Sequence, residues 1–400
     1  MGLNDVVSAE RVHIGFFGMR NAGKSSLVNA VTGQSLSVVS DVKGTTTDPV
    51  KKAMELLPIG PVVILDTPGI DDEGELGKLR VEKSMQMLSS TNIAVLVVDA
   101  SVGIGKEDAF LLAQFKERKI PYVIAFNKAD LISNKEEPKE NQIYVSAKTG
   151  KGVNELKELL GKISKEISSP KLLVKDLLSK GDIVVLVTPI DESAPKGRII
   201  LPQQMVLRDI LDAHAIAIVC QDSELEETLN SLSKPARMVI TDSQVFGKVS
   251  KITPRNIPLT SFSILMARYK GDLKDLIQGF SALKALQDGD NVLISEGCTH
   301  HRQCNDIGTV KMPKWIEGYS SVKPSYHFTS GGEFPEDLSK YRVIVHCGGC
   351  MINEAEMKHR TEKAKKQGIP IVNYGIAIAG MNGILKRSLE LFPDISALLD

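Results

Sequence analysis

The segment Gly18-Met19-Arg20-Asn21-Ala22-Gly23-Lys24-Ser25 has the residue types and spacing of a loop that wraps phosphates. Backbone N–H groups of Gly18, Asn21, Ala22 and Gly23, with those opening a helix at Lys24, present positive partial charge to a β-phosphate. Lys24 reaches the β- and γ-phosphates. The Ser25 hydroxyl is placed to ligate Mg²⁺, and Ser26 follows it in the helix start. A single match of this kind arises by chance, so three further segments carry weight. Asp66-Thr67-Pro68-Gly69 offers a carboxylate to hold Mg²⁺ through water and a Gly69 N–H to sense the γ-phosphate. In Asn127-Lys128-Ala129-Asp130, the Asp130 carboxylate can accept hydrogen bonds from guanine N1 and N2, a donor pair that adenine lacks. Ser146-Ala147-Lys148 supplies a backbone N–H for guanine O6. Together they specify Mg²⁺ with GTP or GDP. Between the first two lies Gly44-Thr45-Thr46-Thr47-Asp48, where Thr46, or its neighbour Thr45, is expected to be a second Mg²⁺ ligand. Lys24, Thr46, Asp66 and Gly69 are the expected catalytic set.

One position departs from the Ras pattern. Ile70 follows Gly69 where Ras-like proteins place the Gln that orients water. An apolar side chain cannot position a nucleophile, so unassisted hydrolysis should be slow, as suits a switch or timer. Lys43 to Pro49 and Ile70 to Gly77 are the segments expected to sense the γ-phosphate.

A second constellation lies in the last third of the chain. Cys298-Thr299-His300 and His346-Cys347-Gly348-Gly349-Cys350 are 45 residues apart, and each follows an apolar strand. Two glycines between Cys347 and Cys350 let both thiolates turn toward one ion, with Cys298 as a third soft donor. These residues admit zinc in a Cys₃His site, an iron–sulfur cluster with an exchangeable fourth position, or a redox dithiol. Cys304 ranks below the other three, and His301 reads as solvated. The five cysteines, odd in number and sparse, do not form a disulfide framework.

These residues need elements to hold them. Residues 11 to 165 alternate apolar strands (Val12 to Phe17, Val62 to Asp66, Ile93 to Asp99, Pro121 to Asn127, Gln142 to Val145) with helices such as Glu107 to Arg118 and Val153 to Ser164. That alternation predicts a mainly parallel sheet covered by helices, a P-loop small-GTPase fold, with each nucleotide motif at a strand's carboxyl end. Ser168-Ser169-Pro170 breaks the last helix. A second unit has strands Ile183 to Val187, Ala215 to Cys220 and Arg237 to Thr241, with helices Gln203 to Asp212 and Glu224 to Ser231. It has no phosphate loop, and His214 and Cys220 read there as packing residues. The third has helices from Phe262 to Leu286, strands Asn291 to Ser295, Tyr341 to Val345 and Ile369 to Asn373, and a helix Asn353 to Gln367. The expectation is three α/β domains in series: 1–168 for nucleotide, 171–262 for scaffolding or dimerisation, and 263–400 for the cysteines.

Bulk properties narrow the partners. The 49 basic and 49 acidic residues cancel, so nothing in the total supports nucleic acid as the main partner. The amino terminus shows no leader pattern, and the best candidate for a membrane span, Ile376 to Leu385, is short and interrupted by Gly380, Asn382 and Gly383. The expected location is the cytoplasm.

The nucleotide motifs resemble the tRNA-modifying and ribosome-assembly branch of small GTPases. That resemblance implies a K⁺ ion held by Asn21 against the phosphates, in the role of an arginine finger. With the middle domain and the Cys-x-His and His-Cys-x-x-Cys pattern, the whole chain resembles the GTPase and iron–sulfur scaffold family of [FeFe]-hydrogenase maturation. The resemblance implies a [4Fe–4S] cluster on Cys298, Cys347 and Cys350, with His300 and His346 near it as possible ligands. The fourth position stays open among His300, His346, Asp306, Glu296 and an exogenous group. It further implies a homodimer, and a transient di-iron subcluster received from radical-SAM maturases and delivered to apo-[FeFe]-hydrogenase. The competing reading is a tRNA-modification or ribosome-assembly GTPase with a zinc-binding interaction domain at its carboxyl end. Against it stand the neutral charge and the absence of a Cys in Phe392 to Asp400, where the tRNA-modifying relative ends on a catalytic Cys.

Overall fold

In a computed structural model of the chain, the described residues are 10–34, 50–67, 74–133, 137–167, 173–190, 199–270, 273–297, 306–349 and 351–399. They fall into two compact units, Met1–Pro170 with Asn353–Glu356, and Lys171–Ile352 with Met357–Asp400. Among the described residues, no helix is long and apolar enough to cross a membrane.

The first unit runs β1 (Val12–Phe17), α1 (Lys24–Thr32), β2 (Val50–Leu56), β3 (Gly60–Asp66), α2 (Gly74–Ser89), β4 (Ile93–Asp99), α3 (Lys106–Glu117), β5 (Tyr122–Asn127), β6 (Gln142–Tyr144) and α4 (Val153–Ile167). Its sheet has the order β2-β3-β1-β4-β5-β6, parallel except for β2. Strand side chains alternate between faces, and here both faces are covered, so the strands read as continuous apolar runs. Ile14, Phe16, Val62, Ile64, Val95 and Val97 pack with Leu27 of α1 and Leu156 of α4. Phe17, Val63, Leu65, Leu96 and Val98 pack on the other face with Leu88 of α2 and Leu111 of α3. The parallel register aligns Phe16 with Asp66, Phe17 with Leu96 and Asp99 with Asn127, so the motif residues emerge along one edge. From β1 the chain moves to β3 on one side and then to β4 on the other. The loop after β1 therefore sits at the point where strand order reverses, where α/β sheets open a ligand crevice.

The second unit holds two parallel four-stranded sheets. One contains β7 (Ile183–Val187), β8 (Ile216–Cys220), β9 (Met238–Thr241) and β10 (Leu259–Ser261) in the order β10-β9-β7-β8. Its helices are α5 (Leu201–Asp212), α6 (Leu225–Asn230), α7 (Phe246–Ile252) and α8 (Phe262–Tyr269). The other contains α9 (Leu273–Lys284), β11 (Asn291–Glu296), α10 (Met312–Ser320), β12 (Ser325–Ser330), β13 (Val343–His346), α11 (Glu354–Lys366), β14 (Ile371–Asn373) and α12 (Tyr374–Met381), in the strand order β12-β11-β13-β14. The apolar run from Ile376 enters α12, which is buried through Gly380 inside the core; a helix that is apolar all round belongs there.

One expectation, for His214, needs amending. His214 is exposed at φ 54°, in the tight turn that ends α5, and does not pack; Cys220 is buried in the core as expected. Gly74 to Gly77 form the first turn of α2. The helix Phe262–Tyr269 follows β10 without a break, and a Ser261 hydroxyl caps it at Ile264 N–H.

Candidate functional site

The nucleotide side is built from the carboxyl ends of β1, β3, β5 and the segment after β6. Gly18, at φ 142°, lies against the Val97 carbonyl, where any side chain would collide. Gly23, at φ 85°, lies against the Asn127 amide. Asn21 stands exposed between them at φ 62°. Asn127 staples the site from below. Its Nδ2 donates to Ala22 O (3.0 Å) and its Oδ1 accepts from Ala147 N–H (3.0 Å). The phosphate loop, the end of β5 and the Ser146-Ala147-Lys148 segment are thereby tied to one side chain.

Lys24 is buried and donates to Met19 O at 3.3 Å, which holds the ammonium over its own loop. The Ser25 hydroxyl donates to Asp66 Oδ2 at 3.1 Å, so the two expected Mg²⁺ partners already touch. Asp66 is buried, and its Oδ1 has no hydrogen-bond partner. A buried carboxylate oxygen is costly to leave unmatched, and a hydroxyl–carboxylate pair with a spare oxygen is a donor set that fits Mg²⁺. Ser26 lies one residue along α1 from Ser25.

At the base end, Asp130 Oδ1 accepts from the Ser146 hydroxyl at 2.6 Å, and Ser146 Oγ in turn accepts from Thr149 N–H at 3.2 Å. Lys128, at φ 61°, pairs with Asp99 Oδ2 at 2.6 Å. Partial burial pushes the Asp99 carboxyl up, but hydrogen bonds from Lys128 and Ser101 outweigh it and hold the group below the usual carboxylate range. Lys148 is exposed beside Ala147. Thr45, Thr46, Gly69 and Ile70 lie outside the described residues.

The cysteine side is built at the carboxyl ends of β11 and β13, adjacent strands with Ser295 opposite His346. From β11 the chain goes to β12 on one side, and β13 leads to β14 on the other, so this is again a reversal point of strand order. Cys347 Sγ accepts from Gly297 N–H at 3.0 Å and from Gly349 N–H at 3.3 Å. Two amide donors converging on one sulfur form a setting for an anionic thiolate, as a metal ligand requires. Cys298, His300, Cys304 and Cys350 lie outside the described residues.

His346 ends β13, directly before Cys347. It is fully buried, its Nδ1 lies 2.7 Å from Cys347 O, and its Nε2 lies 3.1 Å from the Arg360 guanidinium. Burial, with the Arg360 charge, pulls its pKa down to about 3. A neutral ring in this position donates from Nδ1 and accepts at Nε2, so both nitrogens are engaged. Arg360, fully buried, also donates to Ser295 Oγ (3.3 Å) and Gly331 O (2.7 Å) and stacks over Phe334. Glu296 is buried and accepts from the Tyr374 hydroxyl at 3.3 Å; Asp306 accepts from Thr309 N–H and Oγ1. Asp99, Arg360, Tyr374 and the buried Lys270 carry no motif and were not legible beforehand. Of these only Asp99 carried a signal, its place at a strand's carboxyl end.

Three family models match the chain. Residues 13–128 match the 50S ribosome-binding GTPase, 173–271 the Hydrogen maturase F dimerization domain, and 274–391 the Hydrogen maturase F tetramerization domain. The chain belongs to the HydF family. The two HydF models cover most of the chain beyond the GTPase domain, and both are named for self-association. Curated relatives match part of the chain. The tRNA modification GTPase MnmE of Laribacter hongkongensis is 33% identical over 156 residues, 38% of this chain and 34% of the relative. GTPase Der of Nitratidesulfovibrio vulgaris is 35% identical over 169 residues, again 38% and 34%. The chain thus spans about a third of the length of these relatives. A crystal structure of Aquifex aeolicus Era bound to GDP·AlF₄⁻ is 26% identical, covers 40% of this chain and 57% of that one, and gives a TM-score of 0.34. HydF membership separates the chain from the tRNA-modification reading, which shares its GTPase motifs.

Proposed function

We propose that the chain is a GTPase scaffold and carrier in [FeFe]-hydrogenase maturation, holding a [4Fe–4S] cluster on Cys298, Cys347 and Cys350. The observation that carries this reading is the Cys347 sulfur receiving two backbone N–H groups at a reversal point of a parallel sheet, between two cysteine-bearing loops. A cluster bound there would supply an open or exchangeable iron site for a di-iron subcluster passed from radical-SAM maturases to apo-hydrogenase. The protein's own part is to offer thiolates, orient them through backbone N–H groups and keep the fourth position replaceable. The fourth position is open among His300, His346, Glu296, Asp306 and an exogenous group; with His346 as the ligand, its present hydrogen bonds to Cys347 O and Arg360 would have to be exchanged.

On the nucleotide side, Ser25 and Asp66 hold Mg²⁺ with Thr46, and Asn21 holds K⁺ against the phosphates. The exposed left-handed placement of Asn21 supports this, because its side chain is not consumed by packing. GTP hydrolysis is slow and changes contacts with partner proteins. Three domains carry the roles: 1–168 nucleotide, 171–262 dimerisation and 263–400 cluster, each with one sheet.

The undefended edge of β8 supports pairing with a second copy. Its sequence Ile-Ala-Ile-Val-Cys leaves Ile216 and Val219 about half exposed, with no Lys or Pro to repel a partner strand. By contrast, the edge strand β2 carries Lys51 and Lys52.

The test is maturation itself. Apo-hydrogenase mixed with both maturases and the chain should gain activity, while Cys298→Ala, folded but without its cluster, should give none. Full activation by Cys298→Ala overturns the scaffold reading.

A further inference from the structure

The loop that leaves β13 has three carbonyls bonded to buried side chains. Cys347 O accepts from His346, while Gly349 O and Ile352 O both accept from the Lys270 ammonium, the latter at 2.9 Å. With Gly349 O drawn to Lys270, the Gly349 N–H is left facing Cys347 Sγ. A buried ammonium is costly to desolvate, and Lys270 is 5% exposed. Carbonyl dipoles on both sides of position 350 are what it is spent on.

Lys270 does not belong to the cysteine sheet. It is the carboxyl cap of α8, with its N–H bonded to Met266 O at 3.0 Å, and α8 starts directly from β10 of the other sheet in the same unit. One short helix thus runs from the end of β10 to the cysteine loop. The same side chain borders a small cavity beside Cys347, closed by Met266, Ala267, Leu276, Met357 and Asn373.

We propose that Lys270 is a positioning residue for the cysteine loop. It clamps the Gly349 and Ile352 carbonyls from the dimerization region, and it sets a positive charge beside Cys347, with which it borders one small cavity. The clamp stands on the chain alone, whereas the charge effect rests on the cluster reading above. A cation held in a low-dielectric wall favours the more negative, reduced state of a cluster, so it raises the midpoint potential.

The experiment uses the full chain with Lys270→Met and Lys270→Arg. Without metal, amide exchange read by mass spectrometry over residues 347–353 should be about tenfold or more faster in Lys270→Met, the scale of a lost charged hydrogen bond. Lys270→Arg should retain most of the protection, and exchange over β11 and β13 should not change. Equal exchange over 347–353 in wild type and Lys270→Met overturns the clamp. If Lys270→Met loses protection throughout, limited acylation of wild-type amines decides. Lys270 should then react far more slowly than the exposed Lys274, and equal rates overturn the clamp. After anaerobic reconstitution, the midpoint potential followed by electron paramagnetic resonance should fall in Lys270→Met and recover in Lys270→Arg. An unchanged potential overturns the charge effect. A wild-type chain that takes up no iron sinks the cluster reading and the charge effect together, and leaves the exchange data to decide the clamp.

Discussion

Asp130 and Ser146 share a hydrogen bond at 2.6 Å, so the carboxylate we propose as the reader of guanine is oriented before any base arrives. Asp130→Asn exchanges a carboxylate oxygen for an N–H donor facing guanine's own donors. GTP affinity should fall by about 30- to 150-fold, the cost of roughly 2–3 kcal/mol for a lost charged hydrogen bond and a new mismatch. Xanthosine triphosphate, with a carbonyl in place of the N2 amine, should gain by comparison. Competition titration against labelled GDP measures both, and an unchanged preference for guanine contradicts the assignment. Asp66 and Ser25 make a second residue-level prediction. With Asp66→Ala, addition of Mg²⁺ should no longer tighten nucleotide binding, whereas the wild type should lose about tenfold or more in affinity on chelation. Parallel titrations with and without a chelator decide it, and a Mg²⁺ response retained by Asp66→Ala counts against the site.

At the scale of elements, what was legible followed the physics of burial. β1 and β4 lie inside a sheet covered on both faces, so their apolar runs announced them to the residue. β2 and β12 are edge strands with polar sequences, Val-Lys-Lys-Ala-Met-Glu-Leu and Ser-Tyr-His-Phe-Thr-Ser, and their pairing comes from neighbours that a local pattern does not contain. The motif residues were legible because chemistry fixes their type and spacing. Lys270 and Arg360 were not, because their roles arise from contacts across 79 and 65 residues of chain. Another such contact ties α8 to the segment after the first unit. Arg268 pairs with Asp176 through both carboxylate oxygens, at 2.8 and 2.5 Å. The Arg268 hydrogen bonds hold the Asp176 carboxyl below its ordinary 3.8, against a smaller upward push from burial. A carboxyl with a lowered folded pKa stabilises the fold above its unfolded pKa, and that contribution is lost as pH falls through the folded value. Asp176→Asn should therefore cost about 1 kcal/mol at neutral pH and almost nothing near pH 2, measured by urea unfolding across that range. A pH-independent difference contradicts this account of the pair.

For the whole molecule, the family matches join a GTPase domain to two regions named for self-association, and we propose the β8 edge as the surface used by the first of these. Ile216→Lys with Val219→Lys should weaken the dimer about 100-fold or more without unfolding the chain, as read by sedimentation equilibrium and amide exchange. A dimer unaffected by both lysines places the interface elsewhere. We propose that the chain's distinctive chemistry lies at its cysteines and that nucleotide turnover serves it. The direct measurement is anaerobic reconstitution of wild type and Cys347→Ala, followed by iron, sulfide and zinc analysis and electron paramagnetic resonance of the reduced protein. About four iron and four sulfide per wild-type chain, with a reduced-cluster signal absent from Cys347→Ala, is the predicted result. One zinc per chain and no iron or sulfide would contradict it.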